Sequence, residues 1–150
     1  MSATVPRGAA EEGPRAVAAI VEVVLVYEDL VSAARVKNSL ERVSARFGAP
    51  GRWNMRVWRF DWLLEPLLQE QAAIEAAAAD VIVLSAHGRM ELPEQVRGWL
   101  SRWQDRKESR RYALVALLDS EAAERENAIV ACLQRVAAVT GADLFCSFSA

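Results

Sequence analysis

Residues 79–93 read ADVIVLSAHGRMELP. Val81, Ile82, Val83 and Leu84 run without a break into Ser85, Ala86, His87 and Gly88. A short apolar run rich in β-branched residues, closed by turn formers, reads as a strand covered on both faces. Such strands belong to parallel sheets. The chain on either side alternates as a parallel sheet requires.

Upstream, Val21 to Tyr27 (VEVVLVY) is a first strand. Asp29 then opens a helix in which Val36, Leu40, Val43 and Phe47 form one apolar stripe, stopped by Gly48 and Pro50. Trp53 to Phe60 is a second, more polar strand carrying Arg56 and Arg59, as suits an edge. Pro66 begins an alanine-rich helix. Downstream of the third strand, Pro93 starts a helix with Val96, Trp99, Leu100 and Trp103 on one face. Tyr112 to Leu118 is the fourth strand. Asp119 or Ser120 caps a last helix, with Ile129, Leu133, Val136 and Thr140 aligned and Gly141 ending it. Leu144 to Phe148 is the fifth strand.

The expected fold is therefore α/β: a doubly wound five-stranded parallel sheet in the order 2-1-3-4-5, flavodoxin-like, without the final helix. Residues 1–15, rich in Pro, Gly, Ala and charge, read as a flexible tail. Residues 16–150 read as one domain. With 53% hydrophobic and 25% charged residues, the composition is that of a globular protein.

A net charge of −2 gives no overall attraction to nucleic acid or anionic membrane. Arg102, Arg106, Lys107, Arg110 and Arg111 are mixed with Asp105 and Glu108 and read as a solvated helix end. The tryptophans at 53, 58, 62, 99 and 103 lack an interleaved basic groove, so they read as packing rather than base stacking. The apolar run before Tyr27 is broken by Glu22 and is too short to span a bilayer, and no signal peptide is recognisable. Cys132 and Cys146 sit in apolar segments without metal or disulfide spacing, as expected of reduced thiols in a cytoplasmic protein.

Helix count per face gives a further expectation. The first helix covers one face over strands one and two, and the other three cover the opposite face. Strands three to five then stand open on the first face. Exposing ~400 Å² there forfeits about 10 kcal/mol. Either residues 1–20 fold back across it or a second copy of the chain covers it; the second copy is the favoured expectation, with Trp99, Trp103, Phe145 and Phe148 as interface candidates. Core packing is the plainer reading of the two tryptophans.

Ligands of open parallel sheets bind beyond the carboxyl ends of the strands, at the switch point between strands one and three. The chain gathers Glu28, Asp29, Ser85, His87 and Asp119 there. Glu28 and Asp29 together suit a hard cation such as magnesium; the plainer reading has Asp29 capping the helix and Glu28 in solvent. Ser85, His87 and Asp119 hold the residue types of a nucleophile, a base and an orienter, but no GxSxG elbow presents them. The plainer reading has Ser85 and His87 closing the turn at Gly88. No GxGxxG, no GxxxxGK[ST] and no Ser/Thr/Gly-rich loop follows strand one. On that ground no cofactor is expected, NAD, ATP and FMN included, apart from magnesium at Glu28 and Asp29.

The stretch VVLVYEDLVSAARVKNSLERV (23–43) resembles the receiver domain of bacterial response regulators: an apolar strand, an acidic pair, an amphipathic helix. The resemblance implies that Glu28 and Asp29 stand where receivers bind magnesium. It also implies that Ser85 replaces the phosphoacceptor aspartate, that Asp119 falls near the receiver's Ser or Thr, and that strand five lacks the receiver's lysine. The expected function is thus a non-catalytic, receiver-like interaction or regulatory module without aspartyl phosphorelay, acting as a homodimer. The alternative is a small-molecule or metal-binding protein, or a small enzyme, using the crevice at the carboxyl ends of strands one, three and four.

Overall fold

The computed structural model of the chain describes residues 20–36, 53–88, 90–107, 111–124 and 127–149. The elements are β1 (Val21–Tyr27), α1 (Leu30–Ala34), β2 (Trp53–Arg59), a 3-10 turn (Phe60–Leu64), α2 (Pro66–Ala77), β3 (Val81–Ser85), α3 (Glu94–Gln104), β4 (Ala113–Asp119), a second 3-10 turn (Ser120–Glu124), α4 (Ala128–Thr140) and β5 (Asp143–Ser149). All strands pair in parallel, in the order β2-β1-β3-β4-β5, as the alternation requires. The expected tail over 1–15 and the helical stripe through Leu40, Val43 and Phe47 lie outside the described residues.

Local chemistry sets the boundaries. Pro66 occupies the first turn of α2, where its missing N–H costs nothing. Gly141 closes α4 with a φ of 82°, a left-handed value that glycine adopts without strain. The cap at the other end differs from expectation. Ser120 starts the 3-10 turn, and Asn127 caps α4 by accepting from the Ile129 and Val130 N–H groups at 2.9 and 3.1 Å. Asp119 is held elsewhere, as described below.

Two cores flank the sheet. The larger packs α2, α3 and α4 against Val24, Val26, Ile82, Leu84, Leu114, Ala116 and Leu118. Trp99 and Trp103 lie inside it, fully buried, with ring centroids 5.9 Å apart. They offer no surface to a second chain, which corrects their place among the interface candidates. The smaller core joins Val23, Leu25, Val81, Val83, Ala113, Val115 and Leu117 with Val36 beyond α1. Val83 and Val115 are at most 1% exposed in the single chain. The open face expected over strands three to five is therefore shut there. Phe145 is half-buried on this side, and Phe148 is exposed. Of the two covers expected for this face, cover from within the chain accounts for this burial. Among the described residues no helix is long and apolar enough to cross a membrane.

Candidate functional site

The register puts Tyr27 of β1 beside Ser85 of β3, and Ser85 beside Leu117 of β4. The turns after β1 and β3 and the last residue of β4 consequently meet at one end of the sheet. Glu28 N–H donates to the Ser85 carbonyl at 2.9 Å, and Ala86 N–H to that of Leu117 at 2.9 Å, extending the ladder past the strands.

Asp29 and Ser32 form a capping box. The Asp29 Oδ1 accepts from Ser32 N–H at 2.9 Å, and the Ser32 hydroxyl oxygen accepts from Asp29 N–H at 3.0 Å. The second Asp29 oxygen lies 2.7 Å from His87 Nε2. The other ring nitrogen, Nδ1, lies 3.0 Å from Asp119 Oδ2. His87 N–H donates to Glu28 Oε1 at 3.0 Å, and the His87 carbonyl accepts from Asp119 N–H at 3.3 Å. The lone histidine thus bridges three segments through main chain and side chain alike.

Two carboxylates on one imidazole set its charge. The hydrogen bond to Asp29, then that to Asp119, raises the His87 pKa above the ordinary 6.5, against a smaller opposing effect of burial. The Asp29 carboxyl is lowered, first by the Ser32 N–H. At Asp119 burial pushes upward most strongly, but hydrogen bonds from His87 and Arg35 together outweigh it and the pKa is lowered. In its protonated form, which both carboxylates favour, the His87 ring donates one N–H to each.

Four of the five sequence candidates meet in this network. Ser85 does not. It is completely buried, and its hydroxyl donates to the Ser32 carbonyl at 2.6 Å, tying β3 to α1. It faces away from the crevice and holds no nucleophile's position. Arg35 was not among the candidates. It forms an ion pair with Asp119 and donates to the Ala86 carbonyl at 3.1 Å, with its side chain only 12% exposed. The signal for it was indirect: an aspartate ending an apolar strand needs a cation, and Arg35 follows Asp29 by under two helical turns.

Gly88 lets the chain leave β3. Its φ is +81°, and a Cβ there would sit 2.9 Å from that of Ala122. Asn127 donates to its carbonyl at 3.1 Å while also capping α4. Beside this turn is a pocket of about 230 Å³, walled by Phe60, Leu92, Pro93 and Ile129, with His87 and Glu28 at its polar side.

One ligand atom from each of Glu28, Asp29 and His87 lies within 4.8 Å of the others. These atoms already engage one another or the backbone: Asp29 Oδ2 with His87 Nε2, and Glu28 Oε1 with His87 N–H. The turn after β1 also suits a phosphate poorly. The N–H groups of Glu28, Asp29 and Ser32 are taken within the turn, and two carboxylates stand where a dianion would have to approach.

No family model and no curated protein matches the chain. Its structure is similar to that of the two-electron reduced flavodoxin of Megasphaera elsdenii, with a TM-score of 0.52 and 16% identity over 85% of each chain. It is also similar to a short-chain flavodoxin associated with a PDU bacterial microcompartment, with a TM-score of 0.54 and 13% identity over 87% of this chain and 83% of that one. Neither is a response-regulator receiver, and what stands of that resemblance is the shared sheet order. The finding also corrects the expectation of no cofactor beyond magnesium at Glu28 and Asp29. Both of these similar structures are flavodoxins, so the missing loop motif is no ground for that exclusion. At these identities the likeness establishes the architecture: the chain has a flavodoxin-like fold.

Proposed function

We propose that the chain is a small-molecule-binding protein whose ligand enters the crevice beyond β1, β3 and β4. The observation that carries this reading is the pocket beside Gly88: apolar walls from Phe60, Leu92, Pro93 and Ile129, with His87 and Glu28 at its polar side. Apolar walls with a few convergent polar groups are the usual makeup of a ligand site, placed here where parallel sheets put one. The pocket is small, so it takes one ring system or a comparable fragment. The two flavodoxins of similar fold make a flavin ring the first ligand to test. The acidic turn after β1 favours the unphosphorylated form. Within this reading His87 and Glu28 orient the ligand, and Arg35 and Asp119 hold His87.

Titration with riboflavin and with FMN, followed by quenching of flavin fluorescence, tests it. The expected result is saturable binding of riboflavin, with FMN no tighter, and loss of binding when Leu92 becomes a charged residue. FMN binding tenfold tighter than riboflavin would overturn the ligand class. No quenching, together with a fragment screen by protein NMR that moves no resonance of His87, Gly88 or Ile129, would overturn the reading itself. The interaction-module reading has no comparable observation in its support.

A further inference from the structure

The pocket beside Gly88 carries more negative charge than the protein around it neutralises. Glu28 and Glu91 both line it. The Glu28 carboxylate is fixed through one oxygen: Oε1 accepts the His87 N–H at 3.0 Å, and Oε2 accepts no hydrogen bond among the described residues. Glu91 is exposed and forms no hydrogen bond or ion pair among the described residues. His87 is the only basic side chain among the described residues of the wall. Its two ring nitrogens are already engaged, by Asp29 at 2.7 Å and by Asp119 at 3.0 Å. Arg35 is paired with Asp119. Four carboxylates, Glu28, Asp29, Glu91 and Asp119, thus stand against His87 and Arg35 alone. The polar side is net negative whether or not the imidazole is protonated.

This charge sits against an apolar wall. Phe60, Leu92, Pro93 and Ile129 exclude water from whatever lies between them. A carboxylate beside such a wall attracts a cation more strongly than one in open water. A phosphate or carboxylate on the ligand would meet the same groups as repulsion. A carboxylate with an unengaged oxygen can also accept two parallel N–H bonds from a planar amidinium, and charge-assisted bonds of this kind are roughly twice as strong as neutral ones. Glu28 meets that requirement, because Oε1 keeps a lone pair beyond the one that the His87 N–H uses.

We propose that the pocket selects a planar organic cation: one aromatic ring bearing an amidinium or a protonated amine, with its N–H groups on Glu28 and its ring between the apolar walls. Glu28 orients the charged group, and Glu91 adds to the attraction. This rests on the small-molecule reading of the same pocket and narrows it. An uncharged flavin ring fits by shape alone and is the weaker ligand.

Benzamidine, benzamide and benzoate share one shape and differ in charge: positive, neutral and negative. Protein NMR on the full chain reads all three at up to about 10 mM, since fragments of this size bind in roughly the millimolar range. The expected result is saturable shifts at the Glu28, His87, Gly88 and Ile129 amides with benzamidine. Its Kd should be at least tenfold below that of benzamide, and benzoate should shift nothing. Added salt should weaken benzamidine and leave benzamide unchanged. Glu28→Gln keeps the side-chain volume and an acceptor for the His87 N–H, and should bring benzamidine and benzamide within threefold of each other. Glu91→Gln should lower the ratio by less. Arg89 stands between Gly88 and Met90 in the sequence and outside the described residues, so Arg89→Ala is the control, and the preference for benzamidine should not fall in it. Benzamide binding as tightly as benzamidine would overturn the charge selection and leave the pocket reading in place. So would benzoate binding that Arg89→Ala abolishes, or a benzamidine preference that survives Glu28→Gln and Glu91→Gln combined. No shift with any of the three would overturn the pocket reading, and this proposal with it.

Discussion

The tryptophan layer under α3 and the histidine bridge at the carboxyl ends of the strands are held by opposite means. Trp99 and Trp103 are locked by shape: edge-to-face rings, with Tyr112 5.9 Å beyond Trp103. His87 is locked by charge: two anionic acceptors, with Arg35 balancing Asp119. The first region answers to volume and is indifferent to pH. The second answers to pH and is little affected by volume beyond its glycine turn. A domain of this kind keeps its stability in the first region and its chemistry in the second.

The largest effect expected is on the apolar side. Trp99→Ala should cost about 3–5 kcal/mol in denaturant unfolding, equally at pH 5 and pH 8. A loss that changed strongly with pH would break the comparison. Ala76→Leu, which adds volume where α2 meets the core, should cost about 1–3 kcal/mol. Gly88→Ala tests the geometry of the polar side and should cost about 1–3 kcal/mol, because a side chain at φ +81° is strained and meets Ala122. Its thermal shift should come with altered NMR shifts at His87, whereas Ala76→Leu should leave that ring unmoved.

His87→Ala should cost less, about 1 kcal/mol, since the ring is partly exposed and Arg35 still neutralises Asp119. Its diagnostic is the pH profile. The folded chain holds the His87 proton more tightly than the unfolded chain, because its pKa is raised. The resulting stability is complete below the ordinary 6.5 and is lost as pH rises through the raised value. Asp29 and Asp119 have lowered values, so their contribution is present above 3.8 and lost as pH falls through those values. The wild-type chain should therefore lose stability above pH 6.5 by an amount that His87→Ala abolishes. A profile unchanged by the substitution would show that the bridge does not form in solution. The smallest effect is Leu67→Ser, within about 0.5 kcal/mol, since that side chain already lies in water.

The sequence carried the architecture because hydrophobic period and turn residues are local signals. β3 could be read from five residues, and the stop at Gly141 from one. It also brought Glu28, Asp29, His87 and Asp119 to one place, since sheet order alone decides which strand ends adjoin. It did not reveal which way Ser85 points, because a strand buried on both faces shows no alternation to count. Nor did it reveal Arg35, whose partner is 84 positions away and becomes visible only when β4 is placed. The shut face over Val83 and Val115 was legible only as one of two covers, because counting helices per face shows that a cover is needed and not which segment supplies it. The outward leucines of α2 left no signal in the sequence, since an alanine-rich helix gives no hint of which side is inward.

His87 has one more consequence. Its amide, its carbonyl and both ring nitrogens reach Glu28, Asp29 and Asp119, so the three turns cannot loosen separately. Breaking one of these links weakens the alignment of the others. Amide protons at Glu28, His87 and Asp119 should then exchange with solvent deuterium at a shared rate, in a single opening event. The mouth of the crevice would behave as a latch with one bolt.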